Sequence, residues 1–496
     1  MEYNKNFGFS HKCGILMPVS SLPSHYGIGD FGKGAYDFID FLSETKQKCW
    51  QVLPLNPTSY GDSPYQSPAS SFGNPYFISP DLLAKQGLLT KEELARAKSN
   101  VKRVDYGELF VKRYELLRLA HSRFSQCREY GKFCKASGEK LQSYALFMAL
   151  KVHYGYRQWT LWDEQHRNST IAKADANRFS SEMDFWMWVQ YEFYTQWRDV
   201  LNYAHKKGIV IIGDMPIYVA HDSVDVWSAP EQFLLDENYN PKTVAGCPPD
   251  AYCEDGQLWG NPIYNWEYMK NDGFSWWCER VGESFKLYDI LRIDHFRGFA
   301  SFYSIPYGDE NAKRGEWICA PGKELFDKIK ATYPQAKIIA EDLGFITDDV
   351  RELLRDTGFP GMKLLQFAFF DDNSEYLPRT YTTKNCVAYP ASHDSECTKS
   401  WCKTLSGAPR ARFSKETKGL FSKSKVYKMI ELSLLSIANL VIVPMQDYME
   451  LENFEARMNT PSTAEGNWTW RISPRYNTEA LRSKITELAV RTHRGK

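Results

Sequence analysis

Ile290-Leu291-Arg292-Ile293-Asp294-His295-Phe296-Arg297-Gly298 places a short apolar run directly before an acid. Such a run barely alternates between apolar and polar residues, which is the pattern of a strand covered on both faces, as in a parallel sheet. Seven further runs of this kind flank it: Cys13–Pro18, Cys49–Leu53, Ile209–Gly213, Ile338–Ala340, Met362–Phe367, Cys386–Tyr389 and Leu440–Pro444. Amphipathic helical patterns lie between many of them, over 35–48, 185–207, 323–332, 348–357 and 425–439. Eight strands alternating with helices predict a (β/α)8 TIM barrel, an α/β fold in which the strands end on one functional face.

The spacing is uneven. The gap between the second and third runs is too long for a loop and carries helical patterns of its own over 88–98, 142–154 and 185–207. The expected organisation is one catalytic barrel over 1–496. It has a mostly helical insertion at about 56–205 and an active-site loop and subdomain region at about 219–285, the latter rich in Pro, Gly, Asn and Trp.

Composition narrows the function. The chain has 496 residues, and its 61 Lys+Arg equal its 61 Asp+Glu, so it offers no electrostatic footprint for nucleic acid and no preference for an anionic membrane. No run approaches the roughly 20 apolar residues of a membrane helix. The first dozen residues lack a secretory core. The 11 cysteines are scattered without a CxxC pair, which suits reduced thiols in a cytoplasmic protein. Aromatic residues make up 15%. That content fits either a large core or sugar binding, since pyranose C–H faces stack on rings.

Acids follow four of the eight runs: Asp214 after Gly213, Asp294 after Ile293, Glu341 and Asp342 after Ala340, and His393-Asp394 beyond Tyr389. A single Asp after a strand is ordinarily a helix N-cap. Four such acids from separate strands would instead meet at one end of a barrel. Glycosidic cleavage needs two carboxyl groups of opposite character, one ionised at the anomeric carbon and one protonated toward the leaving oxygen. Crowded anions raise the pKa of one of them, and Arg292 could hold Asp294 ionised while another stays neutral. A divalent-metal site is the rival, although no HxH or HExxH pattern occurs. Gly27-Ile28-Gly29-Asp30-Phe31-Gly32 fits GxGxxG, but Ser20–Tyr26 separates it from the strand, whereas a dinucleotide turn follows the strand directly.

These motifs resemble the 4-α-glucanotransferases of the amylomaltase or disproportionating-enzyme type, in the α-amylase clan. The resemblance runs from about Gly14 to Arg471. It is carried by Gly14-Ile15-Leu16 with Ser20-Ser21-Leu22-Pro23, Trp50–Leu55, Asp62-Ser63-Pro64-Tyr65-Gln66-Ser67, Gly213–Val219, Gly246–Asp250, Gly256–Pro262 and, most specifically, Arg292–Gly298. It implies Asp294 as nucleophile, Glu341 as general acid/base and Asp394 as transition-state stabiliser. It places Arg292, His393, Asp214, Tyr65 and His295 in the donor subsite, and Gln257 and Trp259 near the scissile bond. Asn459 and Ser63 are weaker matches.

The implied reaction moves an α-1,4-glucan segment from a malto-oligosaccharide to the 4-hydroxyl of an acceptor such as glucose, by double displacement. It needs no cofactor or metal, and the chain is expected to act as a monomer or weak oligomer. An α-glucan hydrolase, a catalytically dead glucan-binding protein and a metal-dependent enzyme are the alternatives. The chain departs from the family pattern at Ala391-Ser392 and Ser395 around the His-Asp pair, and at Ser462, where the family has glycine.

Overall fold

The computed structural model describes residues 9–59, 61–99, 101–249, 254–344, 346–463 and 465–495; Asp250 and Cys253 lie outside the described residues. In chain order the strands are β1 (Lys12–Leu16), β2 (Cys49–Gln51), β3 (Val210–Met215), β4 (Thr243–Cys247), β5 (Gln257–Pro262), β6 (Ile290–Ile293), β7 (Ser301–Pro306), β8 (Glu316–Cys319), β9 (Ile338–Ala340), β10 (Gly361–Leu364), β11 (Cys386–Tyr389) and β12 (Leu440–Pro444).

Eight of them form a closed parallel barrel in the order β1-β2-β3-β6-β9-β10-β11-β12, with β12 pairing back onto β1. Each apolar run read as a strand is a barrel strand. In β12 every residue of Leu-Val-Ile-Val-Pro is buried, as a strand between a packed interior and a ring of helices must be.

Several ends differ from the sequence reading: β1 stops at Leu16 rather than Pro18, and β2 at Gln51 rather than Leu53. β3 does not stop at Gly213, because its ladder with β6 continues through Asp214 opposite Arg292 and Met215 opposite Ile293. Asp214 therefore lies within a strand rather than after one. The run from Met362 leaves the sheet after Leu364 and turns into a 3-10 segment, Leu365–Phe370.

Between β2 and β3 the chain passes through helices that include Tyr106–His121, Arg128–His153 and Ser180–Lys206. The middle one begins well before the expected 142. Its first half carries few buried residues and is broken by non-helical geometry at Gly138, so the apolar period becomes legible only from Leu141. The long helix Ser180–Lys206 holds the segment after β2 through its amides. Gln190 accepts from Gly73 N–H at 2.8 Å and donates to Gly73 C=O at 2.9 Å, and Gln196 accepts from Ser79 N–H at 2.7 Å.

A second, antiparallel sheet was not foreseen. Its order is β5-β4-β7-β8, built from the β4–β5 and β7–β8 hairpins. Polar residues, Gly and Pro interrupt these strands, as in Gln-Leu-Trp-Gly-Asn-Pro of β5 and Glu-Trp-Ile-Cys of β8, so none reads as the continuous apolar run that marks a barrel strand.

The GxGxxG stretch is a packing device. A Cβ on Gly29 would lie 1.9 Å from the carbonyl oxygen of Val19, so only glycine fits there. Asp30 accepts from Gly32 N–H at 2.8 Å at the start of helix Lys33–Glu44. No disulfide joins cysteines among the described residues. Among the described residues no helix is long and apolar enough to cross a membrane, and no three His, Cys, Asp or Glu side chains group in a way that could hold a metal ion.

The end of the barrel opposite the acids is closed by Arg494, which is fully buried. Its guanidinium donates to the carbonyls of Leu434 (2.5 Å), Ser436 (2.7 Å), Ala438 (3.0 Å) and Lys12 (3.0 Å). Burial lowers its pKa to about 10, so it stays charged at neutral pH. One cation thus satisfies four carbonyls at the entries to β12 and β1. Arg494→Ala strands those acceptors, and is expected to cost at least about 3 kcal/mol of unfolding free energy in a comparison of denaturation midpoints.

Candidate active site

The barrel ladder sets the depth of each acid. Asp214 and Arg292 are register partners across β3 and β6. Beyond the strand ends the pairing continues: Asp294 N–H donates to Met215 C=O (3.0 Å), Glu341 N–H to Ile293 C=O (3.0 Å) and Phe296 N–H to Glu341 C=O (2.9 Å). Asp214 therefore sits one layer deeper than Asp294 and Glu341, which share a level on adjacent strands.

Arg292 links the layers. Its guanidinium donates to Asp214 at 2.6 Å, pairs with Asp294 at 3.0 Å and directs Nε–H at Met362 sulfur at 3.4 Å. The Asp214 side chain has no solvent exposure, while that of Asp294 keeps 26%. The buried carboxylate anchors the cation, and the cation faces the exposed one. Burial works against the charge of Arg292, but the two carboxylates outweigh it and raise its pKa well above the usual guanidinium range.

The carboxyls of Asp294 and Glu341 are both shifted upward, by unequal amounts. Burial and the Asp294 charge push Glu341 to about 8, although its oxygens accept backbone N–H bonds from His295 (2.7 Å) and Leu343 (3.0 Å). Burial raises Asp294 only to about 6, because Arg292 opposes it.

A second cluster comes from β11 and the 459–468 segment. Asp394 pairs with His393 Nε2 at 3.1 Å and accepts from Asn459 Nδ2 at 2.7 Å. Burial acts to raise Asp394, yet the His393 charge and these two bonds hold it far below the usual carboxylate range. Burial disfavours the charged form of His393, but Asp394 more than offsets it, so His393 is raised. Tyr65 joins the two clusters: its hydroxyl donates to Asp214 at 2.8 Å and lies 2.9 Å from His393 Nε2, and its ring stacks on His393 at 5.4 Å.

A cleft of about 970 Å³ opens above these groups. Of the residues singled out in the sequence, Ser63, Tyr65, Gln257, Trp259, Asp294, His295, His393, Asp394 and Asn459 line it. Asp214 and Arg292 lie beneath its wall, and Glu341 is tied to it through His295. His295 has left-handed backbone geometry (φ 48°), and its ring Nε2 is buried without a partner among the described residues. Burial, with Arg297 assisting, drops its pKa to about 3, so the ring is neutral. The Trp259 ring meets His295 edge-on at 4.8 Å, and its indole N–H orients the Gln257 amide at 3.1 Å.

Other residues of the cleft were not singled out in the sequence. Gln66 and Asn261 exchange amide bonds at 2.9 and 3.1 Å and fix β5 to the loop carrying Tyr65. Both lie inside quoted motifs, so the signal was present, but a side-chain pairing between distant segments cannot be read from one sequence. Trp468 packs on Tyr65 at 5.6 Å. The aromatic doublet Trp468 and Trp470 downstream of Asn459 was the available hint.

The departures from the family pattern have local consequences. Ser395 Oγ accepts from Ser392 N–H at 3.0 Å, and the two hydroxyls lie 3.2 Å apart, which closes the loop that presents His393 and Asp394. Ser462 stands at φ 66°, a left-handed position that glycine takes without strain.

The arrangement is that of a (β/α)8-barrel enzyme with a carboxylate site of the glycoside-processing kind: two carboxyls of unequal acidity on neighbouring strands, in a cleft with polar and aromatic walls. The comparisons with known proteins agree. The 4-alpha-glucanotransferase family profile matches residues 17–477. A 4-alpha-glucanotransferase of Clostridium butyricum is 44% identical over 95% of this chain and 98% of its own. One from Streptococcus pneumoniae is 43% identical over 96% of each chain. The amylomaltase of Streptococcus agalactiae, solved in complex with acarbose, superposes with a TM-score of 0.93 at 39% identity, covering 98% of this chain and all of that one. The chain belongs to the 4-α-glucanotransferase (amylomaltase) family, glycoside hydrolase family 77.

The two partners of Arg292 should respond differently to loss of the ion pair. Arg292→Met leaves Asp214 as an unpaired interior carboxylate and is expected to cost roughly 3–5 kcal/mol of stability. Asp294→Asn, at the cleft surface, should change stability by less than about 1 kcal/mol. Parallel unfolding curves of the two variants against the parent check both figures.

Proposed function

We propose that this 4-α-glucanotransferase disproportionates malto-oligosaccharides by double displacement, with Asp294 as nucleophile and Glu341 as general acid and base. The observation that carries the assignment is the unequal treatment of two neighbouring carboxyls. Asp294 pairs with the Arg292 guanidinium and ionises first, whereas no ion pair among the described residues engages Glu341, which keeps its proton.

In the first half-reaction an Asp294 oxygen forms a bond to the anomeric carbon as the bond from that carbon to the leaving 4-oxygen breaks. Glu341 gives its proton to that oxygen. The N–H groups of His295 and Leu343 that already point at Glu341 then stabilise the carboxylate it becomes. In the second half-reaction an acceptor 4-hydroxyl attacks the glucosyl ester, passes its proton to Glu341 and releases Asp294, which restores an α bond.

Asp394, ionised and held by His393 and Asn459, serves as an acceptor for hydroxyls of the reacting sugar. With Glu341 neutral, the carboxylates of Asp214, Asp294 and Asp394 face the Arg292 guanidinium and the His393 imidazole. The resulting excess of negative charge suits a positively charged oxocarbenium-like state. Tyr65 holds the deeper layer. Gln257, Trp259, His295 and Ser63 offer polar and ring surfaces to the sugars beside the scissile bond, His295 through its unpartnered Nε2.

Two measurements test this reading. The pH profile of kcat/KM should be bell-shaped. Below about 6 Asp294 gains a proton and the rate falls, and above about 8 Glu341 loses its proton and the rate falls again. Arg292→Lys should move the acidic limb upward by weakening the hold on the Asp294 carboxylate. Incubation with maltotriose should yield glucose and longer oligomers with little gain in total reducing ends, and Asp294→Asn should abolish this at least about 10⁴-fold. A net rise of reducing ends as the main outcome would mark a hydrolase instead, and a variant with near-normal turnover would remove Asp294 from its role.

A further inference from the structure

We infer that the tip of the β7–β8 hairpin, through Glu310 and Asn311, forms an outlying glucosyl subsite that makes the enzyme favour longer chains. The inference rests on the reading of this cleft as an α-glucan site. Both residues line the same cavity as Asp294, although they come from a hairpin outside the barrel. From Asp294 the wall runs outward through His295 and Trp259 to Gln257, then to Asp255 at the β4–β5 tip, which touches the β7–β8 tip.

The two tips are braced against each other. Ala312 N–H donates to Asp255 C=O at 2.9 Å, Lys313 pairs with the Asp255 carboxylate at 2.6 Å and Tyr303 O–H donates to Ala312 C=O at 2.9 Å. Gly256 allows the close approach. It has φ 67°, and a Cβ there would lie 2.5 Å from Cys247 C=O and 2.8 Å from the Ala312 methyl. Asp309 and Arg314 form an ion pair across the base of the same tip. A subsite needs a wall that does not give way, and this one is tied on both sides.

The chemistry suits an additional glucose unit. The Asn311 side-chain oxygen is taken by Lys313 N–H at 3.0 Å, which turns its NH2 group into the free end of the side chain as a donor. No ion pair among the described residues engages Glu310, an exposed carboxylate whose oxygens can accept from vicinal sugar hydroxyls. Leu258, 40% exposed, adds an apolar surface to the same cleft for the C–H face of a pyranose. Acceptor, donor and apolar patch together are what an α-glucan offers partners for at each residue. On this inference a short substrate held around Asp294 leaves this end of the cleft empty, and a long one reaches it.

The test is the ratio of kcat/KM for maltoheptaose to that for maltotriose in the parent and in Glu310→Ala/Asn311→Ala. These hairpin-tip side chains can be truncated without opening the core. The expected result is a fall of about tenfold in the ratio, the size of one or two lost hydrogen bonds. In an Asp294→Asn background, calorimetry should show the same fold-loss in maltoheptaose binding relative to maltotriose. A ratio equal to that of the parent, or equal losses on both donors, overturns the subsite while leaving the family reaction in place. A parent enzyme inactive on both donors overturns the glucan reading on which the subsite rests.

Discussion

The Arg292–Asp214 ion pair is the constraint around which the site is built. A guanidinium is costly to bury, and here it is buried on the β6 strand with a carboxylate of no solvent exposure as its cross-strand partner. The pairing fixes the arginine from below, so its remaining N–H groups can point only upward and sideways. Met362 takes the sideways one and Asp294 the upward one. In the double displacement proposed for this site, a cation held this way would not need to reorganise as the charge on Asp294 is consumed and restored, the circumstance in which a fixed charge contributes most to a reaction.

Parallel pairing does the rest of the positioning. Because β3, β6 and β9 are neighbours in register, one ladder sets Asp294 level with Glu341 and Asp214 level with Arg292, two residues deeper. Asp294 and Glu341 therefore differ little in depth, and the difference in their acidity comes from which of them faces Arg292. His393 and Asp394 arrive from β11 across the barrel, and Tyr65 from the loop after β2 ties their imidazole to the Asp214 layer. The helical excursion before β3 serves this geometry at a distance: Gln190 and Gln196 clamp the segment that carries Tyr65, and Gln66 in turn clamps β5.

The barrel was legible in the sequence because its strands are buried on both faces and so read as apolar runs. Leu440–Pro444 and Ile290–Ile293 leave little room for another interpretation once helices separate them. The meeting of the acids was legible for the related reason that a strand end is easy to locate and barrel strand ends gather on one face. Depth was not legible. Asp214 looked like an acid after a strand, and only the β3–β6 register shows that it lies inside one and acts as an anchor. The antiparallel sheet was missed because its strands do not read as continuous apolar runs: β5 is Gln-Leu-Trp-Gly-Asn-Pro, and β8, Glu-Trp-Ile-Cys, is exposed at every position. Cleft walls such as Gln66 with Asn261, or Glu310 with Asn311, depend on contacts between segments far apart in sequence, for which local pattern holds no information.

Transfer and hydrolysis differ only in which hydroxyl reaches the glucosyl ester, so the preference must come from the cleft rather than from the acids. Water is small and abundant. A sugar acceptor prevails only if its binding excludes water and holds its 4-hydroxyl in line with the anomeric carbon. The second sheet forms one wall of the cleft, braced at its tips through Asp255 and Ala312 and anchored at its base through Asn261. On the opposite side the segment 459–468 is pinned by Asn459 to Asp394 and by Trp468 to Tyr65, with Ser462 held in a geometry glycine would take more readily. Rigid walls lower the entropic cost of ordering an acceptor, and a polar lining replaces the hydrogen bonds its hydroxyls give up. On the proposed mechanism the barrel carboxyls make the bond labile, and the choice of what receives the sugar falls to the segments around them.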